Sequence, residues 1–463
     1  MQPLSAGVVG TGYVGLATGA CLAYVGHQVI CLDKDQHRVA SLEEGRVPFY
    51  EPGLAELIAR SAGRLRFAGT EKLTEVVGEA DLLFVAVGTP QGQDGSADLS
   101  EVAYAARGIG RALGGSMPRE HPLVVVNKST VPVGGIYYVS QLVSEGKNEA
   151  GSEGAEFRVA SNPEFLREGS AVHDSLFPDR VVVGADSREA LDVLRALYSP
   201  IVEQSFPTEW DPRPKVAVPF VPTDLASAEM IKYAANAFLA TKISFINEVA
   251  NLCELVGADV SEVAYGIGLD DRIGSRSLSA GLGWGGSCFP KDVAALRATA
   301  RELGHETPLL DAAVAVNDRQ RAQVIHKLHQ DLHVLEGKRV ALLGLSFKPN
   351  TDDLRGAPSL TLATSLTSLG ATVLGYDPVA GKAAARLAPD IRVVFDPYEA
   401  LSGTHAAVVV TEWEEVRGLD PKKAASLMRE PKLIVDGRNA LDAYASRDAG
   451  LLYRGFGRGN VGG

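Results

Sequence analysis

Short apolar runs rich in β-branched residues alternate with longer amphipathic segments over the first part of the chain. We predict a strand over Leu4–Gly10, a helix over Gly12–Tyr24 and a strand over His27–Leu32. Two further buried strands are predicted over Asp81–Val87 and Leu123–Asn127. Such alternation is typical of a doubly wound parallel sheet of the α/β class, whose ligands bind beyond the carboxyl ends of the strands.

The same alternation returns in the last part of the chain. A strand-to-turn unit, VALLGLSF, begins at Val340, without a glycine fingerprint. Later strands are predicted over Thr372–Tyr376, Ala406–Val410 and Leu433–Val435. Between the two parts, apolar residues recur at spacings of three and four over Asp224–Val256, which predicts a long helix. We therefore expect two Rossmann-like, doubly wound parallel-sheet domains joined by a long central helix and a helical middle domain.

Changes in composition place the domain boundaries. Five prolines fall within residues 206–223, which excludes a helix there and marks a link between domains. The polar, glycine-containing residues 144–156 are predicted to form a surface loop. The predicted parts are a first Rossmann-like domain (1–208), the link with the helical middle domain (209–333), a second Rossmann-like domain (334–452) and a mobile glycine-rich tail (453–463).

Composition and charge exclude several classes of protein. The 463 residues, 46% hydrophobic and 22% charged, are typical of a globular chain of two or three domains. A net charge of −12 argues against nucleic acid or an anionic membrane as the main partner. The four cysteines lack C-x-x-C spacing, which argues against a zinc site or a disulfide framework. No signal peptide or long apolar window occurs, so we expect a soluble cytoplasmic protein without a metal.

A glycine fingerprint lies between the first predicted strand and helix. In GTGYVG, residues 10–15, the glycines allow backbone N–H groups to approach a pyrophosphate at the helix N-terminus. Asp33 ends the second strand and would accept hydrogen bonds from both ribose hydroxyls. No arginine follows it immediately to bind a 2′-phosphate, so NAD is preferred over NADP, although Lys34 and Arg38 weaken this preference.

One cysteine differs from the others in its local sequence. Cys288 lies in the glycine-rich loop GWGGSCFPKD, residues 283–292, where Lys291 and a following helix N-terminus would favour the thiolate. These features indicate a nucleophile. Burial as small apolar side chains on predicted helices and a strand explains the other three, which are Cys21, Cys31 and Cys253.

Several polar residues are candidates for the same chemistry. Pairs with i, i+4 spacing would share a helix face: Glu164 with Glu168, Lys232 with Asn236, and Cys288 with Asp292. Lys232 and Asn236 are the most informative, because their neighbours are apolar and a partly buried Lys–Asn pair needs partners. A solvated surface face is the alternative for each pair. Four basic residues near turns or strand ends could bind phosphate, although singly each is more often a surface residue: Arg272, Lys348, Arg355 and Arg438.

Together these motifs resemble the UDP-glucose branch of the UDP-glucose/GDP-mannose dehydrogenase family. The resemblance covers nearly the whole chain and includes GTGYVGL, EPGL, VGTP, KSTVP, NPEFLREGSA, AEMIKYAANAF, DDRIG, GWGGSCFPKD, SFKPNTDDLR and DGRN. It implies NAD-dependent, four-electron oxidation of UDP-glucose at C6 to UDP-glucuronate, with two NAD⁺ reduced. It also implies a homodimer or higher homo-oligomer, with dimerisation through residues 209–333 and UDP-sugar binding by residues 334–452.

The resemblance implies a role for each catalytic candidate. Cys288 would capture the aldehyde intermediate as a thiohemiacetal, which is oxidised to a thioester and then hydrolysed. Lys232 and Asn236 would hold the developing oxyanion. The remaining roles are proton transfer and water ordering for Asp292, general base for Glu164, and positioning of water or the sugar hydroxyl for Thr130.

The resemblance also implies two binding sets. The cofactor set is Gly10, Gly12, Tyr13, Val14, Gly15, Asp33, Arg38, Thr89, Thr130, Glu168, Lys291 and Arg355. The nucleotide-sugar set is Glu164, Phe165, Leu166, Lys232, Asn236, Arg272, Gly285, Phe289, Lys348 and, more weakly, Arg438. In family members the DDRIG arginine, here Arg272, reaches the site of the neighbouring subunit.

Three alternatives stay open at this point. A GDP-mannose or UDP-N-acetylmannosamine dehydrogenase would use the same mechanism on another sugar. A two-electron hydroxyacid dehydrogenase shares the Rossmann-like start but does not need Cys288. A non-catalytic NAD-binding regulator is disfavoured by the intact Cys, Lys, Asn and Asp set. The proline-rich stretch over Pro207–Pro222 looks longer than the usual link of the family, which bears on packing or hinge geometry rather than on the chemistry.

Overall fold

The computed structural model describes residues 3–92, 94–151, 154–207 and 217–458. The chain divides into two compact units, each built on its own sheet. The first unit comprises Met1–Ala234 with Ala294–Leu303, and the second comprises Ala235–Val293 with Gly304–Gly463. Within the described ranges, no helix has the length and apolar character needed to cross a bilayer.

The first unit contains an eight-stranded sheet among its described residues, in the order β3-β2-β1-β4-β5-β6-β7-β8. Its strands are β1 (Ser5–Val9), β2 (Gln28–Asp33), β3 (Leu65–Gly69), β4 (Leu82–Val85), β5 (Leu123–Asn127), β6 (Phe157–Ser161), β7 (Val181–Ala185) and β8 (Phe220–Thr223). All neighbours are parallel except β6 and β7, which pair antiparallel. The central strands β4 and β5 are buried along their whole length, as expected for a sheet covered on both faces.

Helices connect these strands. They are α1 (Tyr13–Tyr24), α2 (Gln36–Glu43), α3 (Leu54–Arg60), α4 (Leu73–Glu79), α5 (Ser100–Gly114), α6 (Gly135–Glu149), α7 (Ala171–Leu176) and α8 (Arg188–Glu203), with a 3₁₀ turn at Thr70–Lys72. Two separate apolar clusters, one containing Leu16 and Phe84 and the other Ile109 and Leu113, form the core of the unit. The doubly wound arrangement predicted from the alternating pattern is confirmed.

The second unit contains a six-stranded, all-parallel sheet among its described residues, in the order β11-β10-β9-β12-β13-β14. Its strands are β9 (Arg339–Leu343), β10 (Thr372–Tyr376), β11 (Arg392–Val394), β12 (Ala406–Val409), β13 (Leu433–Asp436) and β14 (Leu452–Arg454). The helices of this sheet are α13 (Pro358–Ser368), α14 (Gly381–Leu387), α15 (Pro397–Leu401), α16 (Glu414–Arg417), α17 (Pro421–Leu427) and α18 (Ala443–Asp448). This is the second Rossmann-like fold that the sequence predicted.

The helical middle of the chain contains the predicted long helix. This helix, α9, spans Leu225–Val256, and its 32 residues agree with the prediction to within one position. Three further helices follow, which are α10 (Val260–Gly268), α11 (Phe289–Glu302) and α12 (Pro308–Leu332). Buried residues of α9, among them Ile246 and Ala250, pack in a small cluster with Val260 of α10.

The predicted loop over residues 144–156 is wrong in its first part, because α6 continues to Glu149. Glycine serves helix packing here. A Cβ on Gly146 would overlap the carbonyl oxygen of Arg107 in α5, and one on Gly110 would overlap that of Val143 in α6. The absent side chains therefore allow the two helix backbones to approach closely.

The predicted mobile tail is also wrong for residues 453–458. Tyr453 lies on β14, and Tyr453 and Phe456 are buried. The carbonyl of Gly457 accepts a hydrogen bond from the N–H of Val260 at 2.8 Å. The high glycine content suggested mobility, but the two aromatic side chains anchor these residues in the core. Residues 459–463 lie outside the described residues.

The proline-rich stretch is described only in its last part. Residues 208–216 lie outside the described residues. Residues 217–223 contain no helix, as predicted, and Phe220–Thr223 forms the edge strand β8. An edge position suits Pro222, because proline cannot donate to a neighbouring strand.

Candidate active site

The glycine turn after β1 has the shape of a dinucleotide-binding turn. Gly10 has φ +101°, and a Cβ there would lie 2.6 Å from the carbonyl oxygen of Ala86. A Cβ on Gly15 would overlap the carbonyl oxygen of Gly10. The corresponding direction at Gly12 is open space, and no side chain caps α1 at this residue. An uncapped helix N-terminus beside open space fits the pyrophosphate of NAD.

Asp33 ends β2, and its carboxylate is held by hydrogen bonds. It accepts from the N–H of Thr11 at 2.9 Å, from the Thr11 hydroxyl at 2.5 Å and from the N–H of Asp35 at 3.0 Å. Arg38 Nη1 lies 3.6 Å from Asp33 Oδ2. Burial raises the pKa of Asp33, but these hydrogen bonds and Arg38 outweigh burial and hold the pKa below its usual range. The carboxylate is therefore an ionised acceptor, which suits ribose hydroxyls.

The other cofactor candidates of the first unit follow neighbouring strands. Tyr13 and Val14 begin α1, and the Tyr13 ring lies 3.9 Å from that of Phe49. Thr89, Thr130 and Glu168 come after β4, β5 and β6, which are parallel neighbours. They therefore belong to the same edge of the sheet as the glycine turn, where ligands of such sheets bind.

A buried ion pair lies beyond this sheet edge. Lys232 Nζ on α9 donates to Glu164 Oε1 at 2.7 Å, and both side chains are buried. Lys232 also lines a recess with Thr130 and with seven further residues of the first unit that include Lys128, Ser161 and Glu229. Lys232 and Glu164 thus each have an opposite charge beside them, as the burial of two charges requires.

The predicted shared helix face of Glu164 and Glu168 is wrong. Residues 162–167, which follow β6, are not helical. Pro163 lacks an N–H group, and the Glu164 carboxylate turns back to accept the N–H of Leu166 at 2.9 Å. The Phe165 ring is instead covered by Arg180, whose guanidinium carbon lies 3.9 Å from the ring centre.

Cys288 lies at the start of a helix in the second unit. It directly precedes α11, and its carbonyl oxygen accepts the N–H of Asp292 at 2.9 Å. The side chain is partly exposed, whereas the other three thiols are buried. Burial raises the pKa of Cys21 and of Cys31 to about 12 and also raises the pKa of Cys253. Cys288 is therefore the accessible thiol among the four.

Asp292 connects α11 to α9 and is almost fully buried. Its Oδ2 accepts from Asn236 Nδ2 at 2.6 Å, and Lys291 Nζ lies 2.5 Å from its Oδ1. Asn236 lies four residues after Lys232 on α9, so the predicted pairing of these two residues on one helix is confirmed. Among the described residues, no group of three or more His, Cys, Asp or Glu side chains is placed to hold a metal ion.

Buried polar side chains that the sequence reasoning missed hold the loop before Cys288. Asn317 on α12 accepts from the N–H of Trp284 at 2.7 Å and donates to its carbonyl at 3.1 Å. Asn247 accepts from the N–H of Gly281 at 2.8 Å, and Ser244 accepts from the Trp284 indole at 3.0 Å. Polar residues at buried positions of two apolar helical patterns were the signal that could have revealed them.

Two nucleotide-sugar candidates of the second unit, Lys348 and Gly285, lie on the loops after β9 and before α11. A Cβ on Gly285 would overlap the carbonyl oxygen of Gly356, so these loops touch at two glycines. Phe289 packs edge-on against Trp284. Lys348 Nζ lies 5.2 Å from the centre of the neighbouring Phe347 ring.

Three arginine candidates have partners of their own. Arg438 Nε donates to the carbonyl of Val410 at 2.8 Å, and its other nitrogens reach carbonyls 3.3 and 3.4 Å away, so this guanidinium joins loops. Arg272 is paired with Asp270 at 2.6 Å on an exposed turn. Arg355 is paired with Asp353 at 2.8 Å.

Comparisons with known proteins agree with this architecture. Models of the UDP-glucose/GDP-mannose dehydrogenase family match the chain as an NAD binding domain over residues 5–202, a central domain over 226–319 and a UDP binding domain over 341–443. The chain is 45% identical to the UDP-glucose 6-dehydrogenase of Rhizobium meliloti (strain 1021), covering 97% of this chain and 99% of that one.

Two solved structures share the fold over nearly the whole chain. A UDP-glucose dehydrogenase from the hyperthermophilic archaeon Pyrobaculum islandicum is 39% identical, with a TM-score of 0.86 and 98% of each chain covered. A UDP-D-ManNAc dehydrogenase from Pyrococcus horikoshii is 25% identical, with a TM-score of 0.80 and coverage of 99% of this chain and 100% of that one.

Proposed function

This chain belongs to the UDP-glucose/GDP-mannose dehydrogenase family, and we propose that it oxidises UDP-glucose at C6 to UDP-glucuronate in a four-electron reaction. The observation that carries the proposal is the accessible thiol of Cys288 at the start of α11, one turn before the buried pair of Asp292 and Asn236. A reaction that stops at two electrons has no need of such a nucleophile.

The choice of sugar rests on the relatives. The two compared proteins named for UDP-glucose are 45% and 39% identical to the chain, while the one named for UDP-D-ManNAc is 25% identical. This difference favours UDP-glucose over the alternative sugars. The UDP binding domain of the family corresponds to the second Rossmann-like fold, so that unit would hold the uridine diphosphate.

NAD, when bound, supplies the hydride acceptor for both oxidations. The residues that would hold it are the Gly10, Gly12 and Gly15 turn for the pyrophosphate and Asp33 for the ribose hydroxyls. The open direction at Gly12 and the ionised Asp33 carboxylate support this assignment.

Cys288 would act after the first oxidation. Its thiolate adds to the C6 aldehyde carbon, forming a C–S bond and a thiohemiacetal whose oxygen carries the negative charge. Lys232 and Asn236 would donate to that oxygen and stabilise the charge as it develops. Covalent capture prevents the aldehyde from leaving before the second oxidation converts the adduct to a thioester.

Hydrolysis would complete the reaction. Water adds to the thioester carbonyl, the C–S bond breaks, and the Cys288 thiolate leaves as the carboxylate forms. Glu164 would accept the proton of the water, since its pairing with Lys232 favours the ionised carboxylate. Thr130, which lines the same recess as Lys232, would position the water, and Asp292 would order solvent near Asn236.

The stoichiometry of NADH tests the proposed function. Purified protein with NAD⁺ and a limiting amount of UDP-glucose should release two NADH per sugar, measured by absorbance, and UDP-glucuronate should be the product by mass spectrometry. One NADH per sugar contradicts the four-electron proposal. Activity confined to GDP-mannose or to UDP-N-acetylmannosamine contradicts the choice of sugar, and no NADH with any nucleotide sugar contradicts the enzymatic proposal.

We also propose that α9 forms an interface between copies of this chain. Phe238, Phe245 and Leu252 recur at intervals of seven on the helix and are 65%, 55% and 56% exposed. Large apolar side chains exposed in a row along one helix are typical of a protein–protein interface. An oligomer would also give the exposed Arg272 a neighbouring subunit to contact, as the family resemblance implies.

Charge placed on this face should dissociate the assembly. We expect the wild-type protein to sediment as a dimer or larger and a Phe245→Glu, Leu252→Glu double variant to sediment as a monomer, because two buried carboxylates without partners are costly. Leu387→Glu, at an exposed apolar position outside the face, is the control and should sediment as the wild type does. A monomeric wild-type protein at micromolar concentration would contradict the interface.

A further inference from the structure

A second lysine lies beside the ion pair of Glu164 and Lys232. Lys128 follows β5, is buried, and lines the same recess as Lys232. Its Nζ donates to Asn162 Oδ1 at 3.0 Å and lies 3.5 Å from the hydroxyl of Tyr198. Among the described residues, no carboxylate lies within 4 Å of this nitrogen. Its hydrogen-bond partners are therefore neutral groups.

Asn162 connects Lys128 to the residues proposed to act on the substrate. It begins the non-helical segment that contains Glu164 and Phe165. Asn162 Oδ1 accepts from Lys128 and also from the Tyr198 hydroxyl, at 2.6 Å, while Asn162 Nδ2 donates to the carbonyl of Val182 at 2.8 Å. Every polar atom of this side chain is thus used to fix the start of the segment. Removing Lys128 loosens that network from one side.

The charge of Lys128 also acts on the neighbouring pair. Burial lowers the pKa of Lys128 to about 8, with Glu164 raising it and Lys232 lowering it. When protonated, Lys128 therefore adds a second positive charge to the recess that Lys232 lines. The other titratable groups of the recess and the network are Tyr198 on α8 and Glu229, Lys232 and Tyr233 on α9.

We propose that Lys128 is a positioning residue for the reaction, which holds the Asn162–Phe165 segment through Asn162 and supplies a second positive charge to the recess beside Lys232. This inference rests on the proposed function of Glu164 as the base for thioester hydrolysis. Lys128 itself need not contact the substrate. Its two effects, the hydrogen bond and the charge, can be separated by substitution.

Two substitutions separate the effect of the hydrogen bond from the effect of the charge. Lys128→Met removes both the charge and the hydrogen bond, whereas Lys128→Gln removes the charge and keeps a donor for Asn162. We expect Lys128→Met to lower kcat about tenfold, with KM for UDP-glucose changed less than threefold. The wild-type kcat should fall as the pH rises through about 8, where Lys128 loses its proton, and this fall should be absent from both variants. Lys72→Met, at an exposed lysine, is the control.

A measurement without substrate or cofactor complements the kinetics. Burial holds the pKa of Lys128 at about 8 in the folded protein, against 10.5 for an ordinary solvated lysine, so the unfolded chain binds more protons between these values. The free energy of unfolding of the wild-type protein, measured with urea, should therefore rise relative to that of Lys128→Met between about pH 8 and 10.5. This rise is absent if Lys128 is an ordinary solvated lysine.

The outcomes distinguish this inference from the proposed function. If the wild-type protein oxidises UDP-glucose and both variants keep its kcat and pH profile, the role of Lys128 is overturned. If Lys128→Met fails to fold, Lys128→Gln and Tyr198→Phe, which also weakens the Asn162 network, decide the question by the same measurements. If the wild-type protein oxidises no nucleotide sugar, the proposed function falls and this inference falls with it.

Discussion

Replacing Cys288 by serine is expected to lower kcat by at least about a thousandfold, because the hydroxyl is a far weaker nucleophile than a thiolate and cannot hold the aldehyde for the second oxidation. Binding of NAD should be unchanged, since serine is close to cysteine in size and the substitution alters none of the proposed cofactor residues. Steady-state NADH production measures the loss, and calorimetric titration with NAD measures the retained binding.

A matched control separates this effect from general loss of a thiol. Cys253→Ala removes a buried cysteine from α9 and should leave kcat within a few fold of the wild-type value. Near-normal NADH production by Cys288→Ser would refute the covalent role. So would retention of wild-type activity after alkylation of Cys288, located by peptide mass spectrometry, because an alkylated sulfur cannot add to a carbonyl.

Replacing Lys232 by methionine is expected to lower kcat by about 10² to 10³, the usual loss when a donor to a developing oxyanion is removed. The loss has a second origin in this protein. Lys232 is the ion-pair partner of the buried Glu164, and removing it leaves a buried charge without its partner. Both causes act after substrate binding, so the dissociation constant for UDP-glucose should change much less than kcat.

A conservative variant identifies which cause dominates. If the loss of the Glu164 partner matters most, Lys232→Arg, which keeps a cation beside Glu164, should recover most of the activity. A loss in Lys232→Arg as large as that in Lys232→Met indicates that the ammonium donor to the oxyanion is what matters. Lys72→Met, which alters an exposed lysine paired with Glu75, should behave as the wild type does. Unchanged kcat for Lys232→Met would contradict the assigned role.

Local patterns were sufficient for most of the fold. The predicted strands over Leu123–Asn127 and Thr372–Tyr376 match the observed strands at both ends, and the long helix is one residue shorter than predicted. These elements have a strong apolar periodicity and are bounded by glycine or proline residues. The prediction failed at residues 144–149 and 453–458. There glycine signalled a loop or a mobile tail, but tertiary packing placed glycine between helices and aromatic side chains in a core.

The candidate site divides in the same way. Gly10, Asp33 and Cys288 could be predicted as site residues because each lies in a short motif whose chemistry can be inferred from neighbouring residues alone. Thr11, Asn317 and Lys128 could not, because their partners lie far along the chain. Asn317 and Trp284 are 33 positions apart in the sequence, and nothing in the local sequence of either residue predicts the two hydrogen bonds between them.

The amino-acid sequence by itself determined the order of strands and helices along the chain, the glycine turn and the choice of candidate thiol, because periodicity, backbone freedom and the groups beside a cysteine are properties of a few adjacent residues. Only the tertiary structure decided which charges neutralise each other. Glu164 and Lys232 are 68 residues apart and share no motif, yet their side chains meet at 2.7 Å in a buried environment where neither charge is stable alone.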